Sequence, residues 1–236
     1  MQLERLLQRQ GFGTRKECRA LVRHGRVTVG GLACDDPFAE IPPGPDLIFS
    51  VDGVEWLWQE RAVLMLHKPA GHECSRKPKH HPSVLELLPR PLRERGVQPV
   101  GRLDEDTTGL LILTDDGTLN HRLSSPRKKL PKVYRATTAD PLDETQIAAL
   151  LDGVVLDDDP QPVAAAGAVK LAPHTLRLTL IQGKYHQVKR MVAAVGNRVT
   201  ALHREAIGGL ALPGDLAPGA WRWLSPNELQ RLEDTA

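Results

Sequence analysis

Cysteine is sparse: Cys18, Cys34 and Cys74 stand far apart and odd in number in a chain of 236 residues. No two form a CxxC pair, which argues against a disulfide framework or a zinc site and for free thiols in a reducing compartment. Long hydrophobic runs are missing; no stretch approaches the roughly 20 apolar residues that span a bilayer. The opening MQLERLLQRQ is charged throughout and lacks the apolar core of a secretory signal. A cytoplasmic protein with no membrane partner is therefore expected. Tyrosine occurs only twice.

Charge of one sign is also missing, locally. Residues 31–60 hold seven acids and no Lys or Arg, while residues 184–204 hold five Lys or Arg and no acid. Residues 121–135 hold six Lys or Arg and no acid, and residues 1–30 set seven against two. The whole chain has a net charge of only +2. Any one basic stretch passes as a solvated helix face. Three of them on a nearly neutral chain favour a directed polyanion-binding surface.

What is present suffices for a packed core, with 41% hydrophobic residues. The length fits a small domain plus a medium one. Residues 1–59 read as the small domain. Leu3, Leu6 and Leu7 have helical spacing, and TRKECRALVRHG opens with a capping box of Thr14 and Glu17 and stops at Gly25. RVTVGGLAC follows as a hairpin around Gly30-Gly31. Arg15, Lys16, Arg19 and Arg23 lie on the second helix, and an outward basic helix of this kind suits RNA. A linker falls near residues 57–62.

Residues 62–236 read as a second domain. VLMLHKP and LLIL are buried-type strands, KVYRATT is a strand, and HTLRLTLIQG alternates with Leu176, Leu178 and Leu180 on one face. LDETQIAALLDGV and HQVKRMVAAVG are amphipathic helices; SPNELQRL is a short one with Ser225 as N-cap and Pro226 first in the helix. Strands and helices without regular alternation predict an α+β fold on a mixed, largely antiparallel sheet.

GRLDEDTTGLLILTDDG, residues 101–117, packs five carboxylates around an apolar run. Asp104, Asp106, Thr108, Gly109 and Asp115 match EF-hand spacing, but the loop would run into LLILT, a strand, and Ile112 would stand where an oxygen ligand belongs. Asp104, Asp106 and Thr108 also meet a DxDxT pattern, but the apolar strand follows the first Asp where it should precede it. Asp106, Thr107, Asp115 and Asp116 are explained as turn scaffold, and Glu105 as solvent-facing. Asp104 is different: a strand directly behind it would hold it rigid, as a nucleophile or base requires. His72, Cys74, His80 and His81 lack the pair spacing of a zinc site.

Seven ordered blocks then carry a resemblance: LHKPAGHECS, GRLDEDTTGLLILTDDG, HRLSSPR, KVYRA, GKYHQVKRMVAAVGNRV, LHREAIGGL and DLAPG. The chain resembles the pseudouridine synthases, and within them the bacterial branch acting on small-subunit (16S) ribosomal RNA. Its first sixty residues are similar to the alpha-L RNA-binding domain shared with a ribosomal small-subunit protein. The resemblance implies isomerisation of uridine to pseudouridine at a site of the uridine-516 type, without cofactor or metal. It implies a monomer whose partner is 16S ribosomal RNA, including an early small-subunit assembly particle. Asp104 would be the catalytic carboxylate, attacking the anomeric carbon or removing the 2′ proton. Tyr134 would stack on the target base, and Lys189 would pair with Asp104.

The helical wheel agrees about Lys189. At about 100° per residue, Met191, Val192 and Val195 lie within about 60° of Val188. Lys189 falls beside that stripe and Arg190 on the far side. Lys189 is thus placed to keep a half-buried carboxylate ionised. Arg102 would fill the stack vacated by a flipped base. Arg127, Lys128, Lys129, Lys184, Arg190 and Arg204 would contact phosphates. The rivals are a 23S enzyme and a non-catalytic RNA-binding or assembly factor; intact Asp104, Tyr134 and Lys189 argue against the latter.

Overall fold

The computed structural model describes residues 1–125, 128–157 and 159–233. In the N-terminal part, α1 (Leu3–Arg9) and α2 (Arg15–Arg23) precede β1 (Val27–Val29), β2 (Leu32–Ala33), β3 (Ile48–Val51) and β4 (Val54–Leu57). The capping box forms as expected: the Thr14 hydroxyl accepts from the Glu17 amide, and the Glu17 carboxylate accepts from the Thr14 amide. The strands make an antiparallel sheet in the order β2-β1-β3-β4. Leu3, Leu6 and Leu7 meet Cys18, Val22, Val27, Phe49 and Trp58 in its core.

The larger part runs β5 (Val63–Lys68), a 3-10 turn (Val84–Leu87), α3 (Arg90–Glu94), β6 (Gln98–Pro99), β7 (Thr108–Thr114), α4 (Gly117–Ser124), β8 (Lys132–Thr138), α5 (Glu144–Asp152), β9 (Val154–Leu156), β10 (Asp159–Val163), β11 (Gly167–Ala172) and β12 (Thr175–Leu180). It closes with α6 (Gln187–Ala194), β13 (Val199–Ile207), β14 (Leu210–Ala211), β15 (Trp221–Trp223) and α7 (Pro226–Glu233). The main sheet has the order β11-β12-β8-β13-β7-β5-β15, with β14 added to β13 and β6 to β7. Its pairs are antiparallel except β13 with β7. This is the α+β fold with a mixed, largely antiparallel sheet that the pattern predicts.

Strand β7 shows why its sequence is a continuous apolar run. Leu111 and Leu113 pack into one core, with Leu64, Leu66 and Val84. Leu110 and Ile112 pack on the opposite face, with Leu119, Leu123 and Ile207. A strand covered on both sides has no solvent face to alternate with. Strand β12 does have one: Leu176, Leu178 and Leu180 are buried while Arg177 is exposed. Helix α6 seals that core with Val188, Met191 and Val192.

The two parts touch through fixed polar contacts. The Arg95 guanidinium, 4% exposed, donates to Gln10 Oε1 (2.9 Å), the Gln59 carbonyl (3.0 Å) and Asp115 Oδ2 (2.8 Å). Gly11, at φ +88°, lies so near the Pro91 carbonyl that a Cβ would come within 2.0 Å of its oxygen. Only glycine fits that approach.

Candidate active site

The turn before β7 is built around a buried cation that the sequence did not single out. Lys68 ends β5 with no exposure at all. Its ammonium donates to the carbonyls of Pro69 (3.0 Å), Glu105 (2.9 Å) and Thr107 (2.8 Å). Burial pushes its pKa down, against the pull of the neighbouring acids, and three good acceptors compensate the buried charge. The Gly71 amide also donates to the Glu105 carbonyl (2.8 Å), and the Thr107 amide to that of Asp104 (3.1 Å). At the other end, Gly109 (φ +108°) packs on the Arg204 backbone, where a Cβ would sit 2.3 Å from oxygen. The turn is therefore pinned on both sides of Asp104. Glu105 is exposed, as expected, but its carbonyl is one of the pins.

Asp104 is partly exposed, at 29% of its side chain, and lines a cavity with Arg102, Tyr134, Lys132, His186 and Arg204. Lys189 Nζ lies 3.5 Å from Asp104 Oδ2 and closer to Asp106, at 2.7 and 2.8 Å from its two oxygens. Burial opposes ionisation of both partners. The attraction outweighs it, so Asp106 sits below the usual aspartate pKa and Lys189 above the usual lysine value. Asp106 is thus an ion-pair partner as well as a turn residue, a correction to its reading as scaffold. Lys189 does lie within ion-pair reach of Asp104, as expected, and is shared with Asp106. Asp115 and Asp116 do act as scaffold. Asp115 Oδ1 accepts from the Ala62 amide (2.7 Å), and Asp116 Oδ1 caps α4 through Thr118 and Leu119.

His186 is the residue that sequence reasoning missed. Its Nε2 lies 3.3 Å from Asp104 Oδ1. It enters α6 in the left-handed conformation (φ 47°, ψ 32°) with no side-chain cap, a strain of about 1–3 kcal/mol for such a residue. A backbone excursion of this kind leaves no periodic trace in sequence.

Tyr134 occupies β8 opposite Leu178 and Arg204 and is half-buried between two cores. Arg102 is exposed at the cavity rim. Lys132 points to the same side, with its ammonium on the Leu130 carbonyl (3.1 Å); burial, then the nearby Arg204 charge, pulls its pKa down. Arg204 is 2% exposed and donates through Nε to the Leu110 carbonyl (2.8 Å). Its place on a central strand buries it, so the expectation of a surface phosphate contact is corrected.

The remaining basic residues divide. Arg15, Lys16, Arg23 and Lys129 are exposed. Arg19 is paired with Glu4 and lies over the Phe38 ring at 5.3 Å. Lys184 is paired with Asp159. Lys128 lies 3.8 Å from Glu233. Arg190 donates to the Tyr185 carbonyl at 3.1 Å. Arg127 lies outside the described residues. Among the described residues, no group of three His, Cys, Asp or Glu is disposed to hold a metal ion, and no helix is long and apolar enough to cross a membrane.

Chemically, this is a pinned carboxylate lining a cavity, a lysine ammonium 3.5 Å from it, and an aromatic ring on the same cavity wall. Comparison with known proteins is consistent with that chemistry. The RNA pseudouridylate synthase family model matches residues 62–194 and the S4 domain model residues 1–44. The chain is 39% identical over 229 residues to ribosomal small subunit pseudouridine synthase A of Yersinia pestis, covering 97% of both chains. The proteins of the same name in Escherichia coli K12 and Haemophilus influenzae are 38% and 34% identical, covering 97–98% of this chain and 98–99% of theirs. A solved structure described as a pseudouridylate synthase superposes with a TM-score of 0.70 at 33% identity, covering 98% of this chain and 99% of its own.

Proposed function

The chain belongs to the RNA pseudouridylate synthase family, and from that premise we propose that it isomerises one uridine of 16S ribosomal RNA, at a site of the uridine-516 type, through Asp104. The observation that carries the reading is the pinned Asp104 carboxylate, with Lys189 and His186 within 3.5 Å at the mouth of a cavity beside Tyr134. The relatives' shared name supports the small-subunit substrate.

In this reading the target base leaves its stack and enters the cavity, where Tyr134 covers one face. Flipping costs a few kcal/mol, which that stacking and Arg102 at the rim offset. Asp104 then acts on the sugar as nucleophile at C1′ or as base at C2′. The N1–C1′ bond breaks with its electron pair going to uracil. The ring turns, and C5 bonds to C1′ as the Asp104–C1′ bond breaks on the first route, or as the proton returns from Asp104 to C2′ on the second; C5 then loses its proton and N1 gains one, through solvent or a nearby base. The product is an isomer of the substrate, so the bookkeeping of atoms and electrons closes without an external reductant or oxidant. Lys189 balances the charge of Asp104 through these steps, and the His186 imidazole holds its other oxygen in place.

Two domains, 1–59 and 62–236, divide the work: the first gathers RNA, the second modifies it. The protein acts as a cytoplasmic monomer on 16S RNA or an early assembly particle. Mapping pseudouridine in ribosomal RNA from cells with and without the protein tests this directly. One small-subunit position should lose its modification. Loss at a large-subunit position overturns the substrate, and no change at any position overturns the activity.

A further inference from the structure

Resting on that reading, the rim of the site holds one feature it does not use. Tyr185 is 72% exposed, yet it adjoins a side chain that touches Asp104. Its ring stacks on His186 with centroids 3.7 Å apart and an interplanar angle of 20°. His186 lines the cavity and Tyr185 does not. From the inside outward the order is therefore Asp104, the imidazole, the phenol ring, solvent.

The pair is held in place from several directions. The Tyr185 carbonyl accepts from Arg190 Nη1 (3.1 Å). The Lys184 amide donates to Gln187 Oε1 (3.0 Å), and Gln187 is buried. His186 keeps its left-handed backbone between these anchors. Apart from its stack on His186 the ring lies mostly in solvent. An aromatic surface fixed beside a cavity lined by Arg102, Lys132, Lys184 and Arg204 is the kind of platform on which nucleobases stack, whatever their sequence. Extruding one base also uncovers a face of its neighbour in the RNA. The extruded base has two neighbours; where Arg102 covers the one, the other is left to be covered just outside the cavity, where Tyr185 stands.

We propose that Tyr185 and His186 form a stacking platform for the nucleobase adjoining the target uridine, and so hold the RNA by a second base while the first is in the cavity. The ring, not the hydroxyl, makes the contact.

The test uses the full-length protein and small-subunit ribosomal RNA transcribed in vitro, with 2-aminopurine placed on either side of the modified uridine. Binding of the wild type should quench the fluorophore on one side. Tyr185→Ala and Tyr185→Leu should lose that quenching and raise KM by roughly 5- to 100-fold, with a smaller change in kcat. Tyr185→Phe and Tyr185→Trp should keep both. A Tyr185→Ala protein with wild-type KM and quenching overturns the platform, as does a Tyr185→Phe protein that fails like Tyr185→Ala. A wild-type protein inactive on every ribosomal RNA overturns the underlying reading and the platform with it, and that result is seen before any variant is made.

Discussion

Helix α2 and the segment around α6 are both basic stretches in the sequence, and the fold uses their charge in opposite ways. On α2, Arg15, Lys16 and Arg23 stand in solvent, and only Arg19 is committed to an acid. Around α6, Lys184 faces Asp159, Lys189 is shared by Asp106 and Asp104, and Arg204 is buried on a carbonyl. The first arrangement makes a field that reaches outward and is screened by salt. The second fixes charges to fractions of an ångström, as preorganised chemistry requires. Charge that gathers a polyanion can stay loose; charge that serves a reacting atom cannot.

The sharpest way to break this contrast is at Asp104. Asp104→Asn preserves shape and removes nucleophile and base character, so pseudouridine formation should fall by at least about 10⁴-fold. RNA affinity should stay within a few-fold, as measured by filter binding. Residual activity near wild type would move the chemistry to Asp106, which shares Lys189.

Next in size is Lys68→Met. Three carbonyls lose their donor inside the protein, at a cost of about 2–4 kcal/mol, or roughly 5–15 °C in Tm for a chain of this size. Activity should fall with stability, because the turn carrying Asp104 hangs on that ammonium. An unchanged Tm would mean that the three carbonyls do not depend on the Lys68 ammonium, and the contrast between loose and fixed cations would fail.

Lys68 also marks where the sequence stops being legible. Features set within a turn or two of chain were readable: the Thr14–Glu17 capping box, the alternation of Leu176, Leu178 and Leu180, and the α6 stripe beside Lys189. Each depends on neighbours a few residues away. Lys68 reads as an ordinary lysine ending a strand, because two of its three acceptors lie 37 and 39 residues on. Arg204 looked like a surface cation because nothing local says that β13 runs through the middle of the sheet. His186 was passed over because its role rests on one unusual backbone angle. The preference of Lys189 for Asp106 over Asp104 was out of reach for the same reason: two carboxylates two residues apart are distinguished only by how the turn folds.

The α2 side is tested by removing its loose charge. Arg15→Gln, Lys16→Gln and Arg23→Gln together should weaken RNA binding by about 10-fold or more at low salt. The slope of log affinity against log salt should become shallower by about 2, at roughly 0.7 per lost contact on single strands. Rates at saturating RNA should hardly move. A drop in kcat with an unchanged salt slope would place these residues near the chemistry and erase the distinction between the two regions.

The smallest effect concerns a fixed pair that belongs to neither region, between β15 and α7. Arg222 holds Glu228 in a bidentate bridge of 2.6 and 2.9 Å, and the Ser225 amide and hydroxyl add to it. Chiefly through Arg222, the Glu228 pKa is pulled down to about 2 from its ordinary 4.5. The folded state therefore keeps its carboxylate ionised where the unfolded chain takes up a proton. Stability from this pair is present above about pH 4.5 and is lost progressively as pH falls from there towards 2. Because solvent screens a pair at the surface, the loss should amount to roughly 1 kcal/mol. Glu228→Gln should remove it, flattening the stability–pH curve between pH 5 and 3 in urea titrations while leaving RNA affinity alone. Among the described residues the loose cations of α2 make no ion pair of this kind, and Arg15 adds only a lesser pull on Glu4 beside that of Arg19, so the α2 triple variant should change that stretch of the curve much less. If the Glu228→Gln curve is as steep as wild type, the acid sensitivity belongs to Asp106 or other carboxylates, and the bridge at α7 is an ornament of the surface.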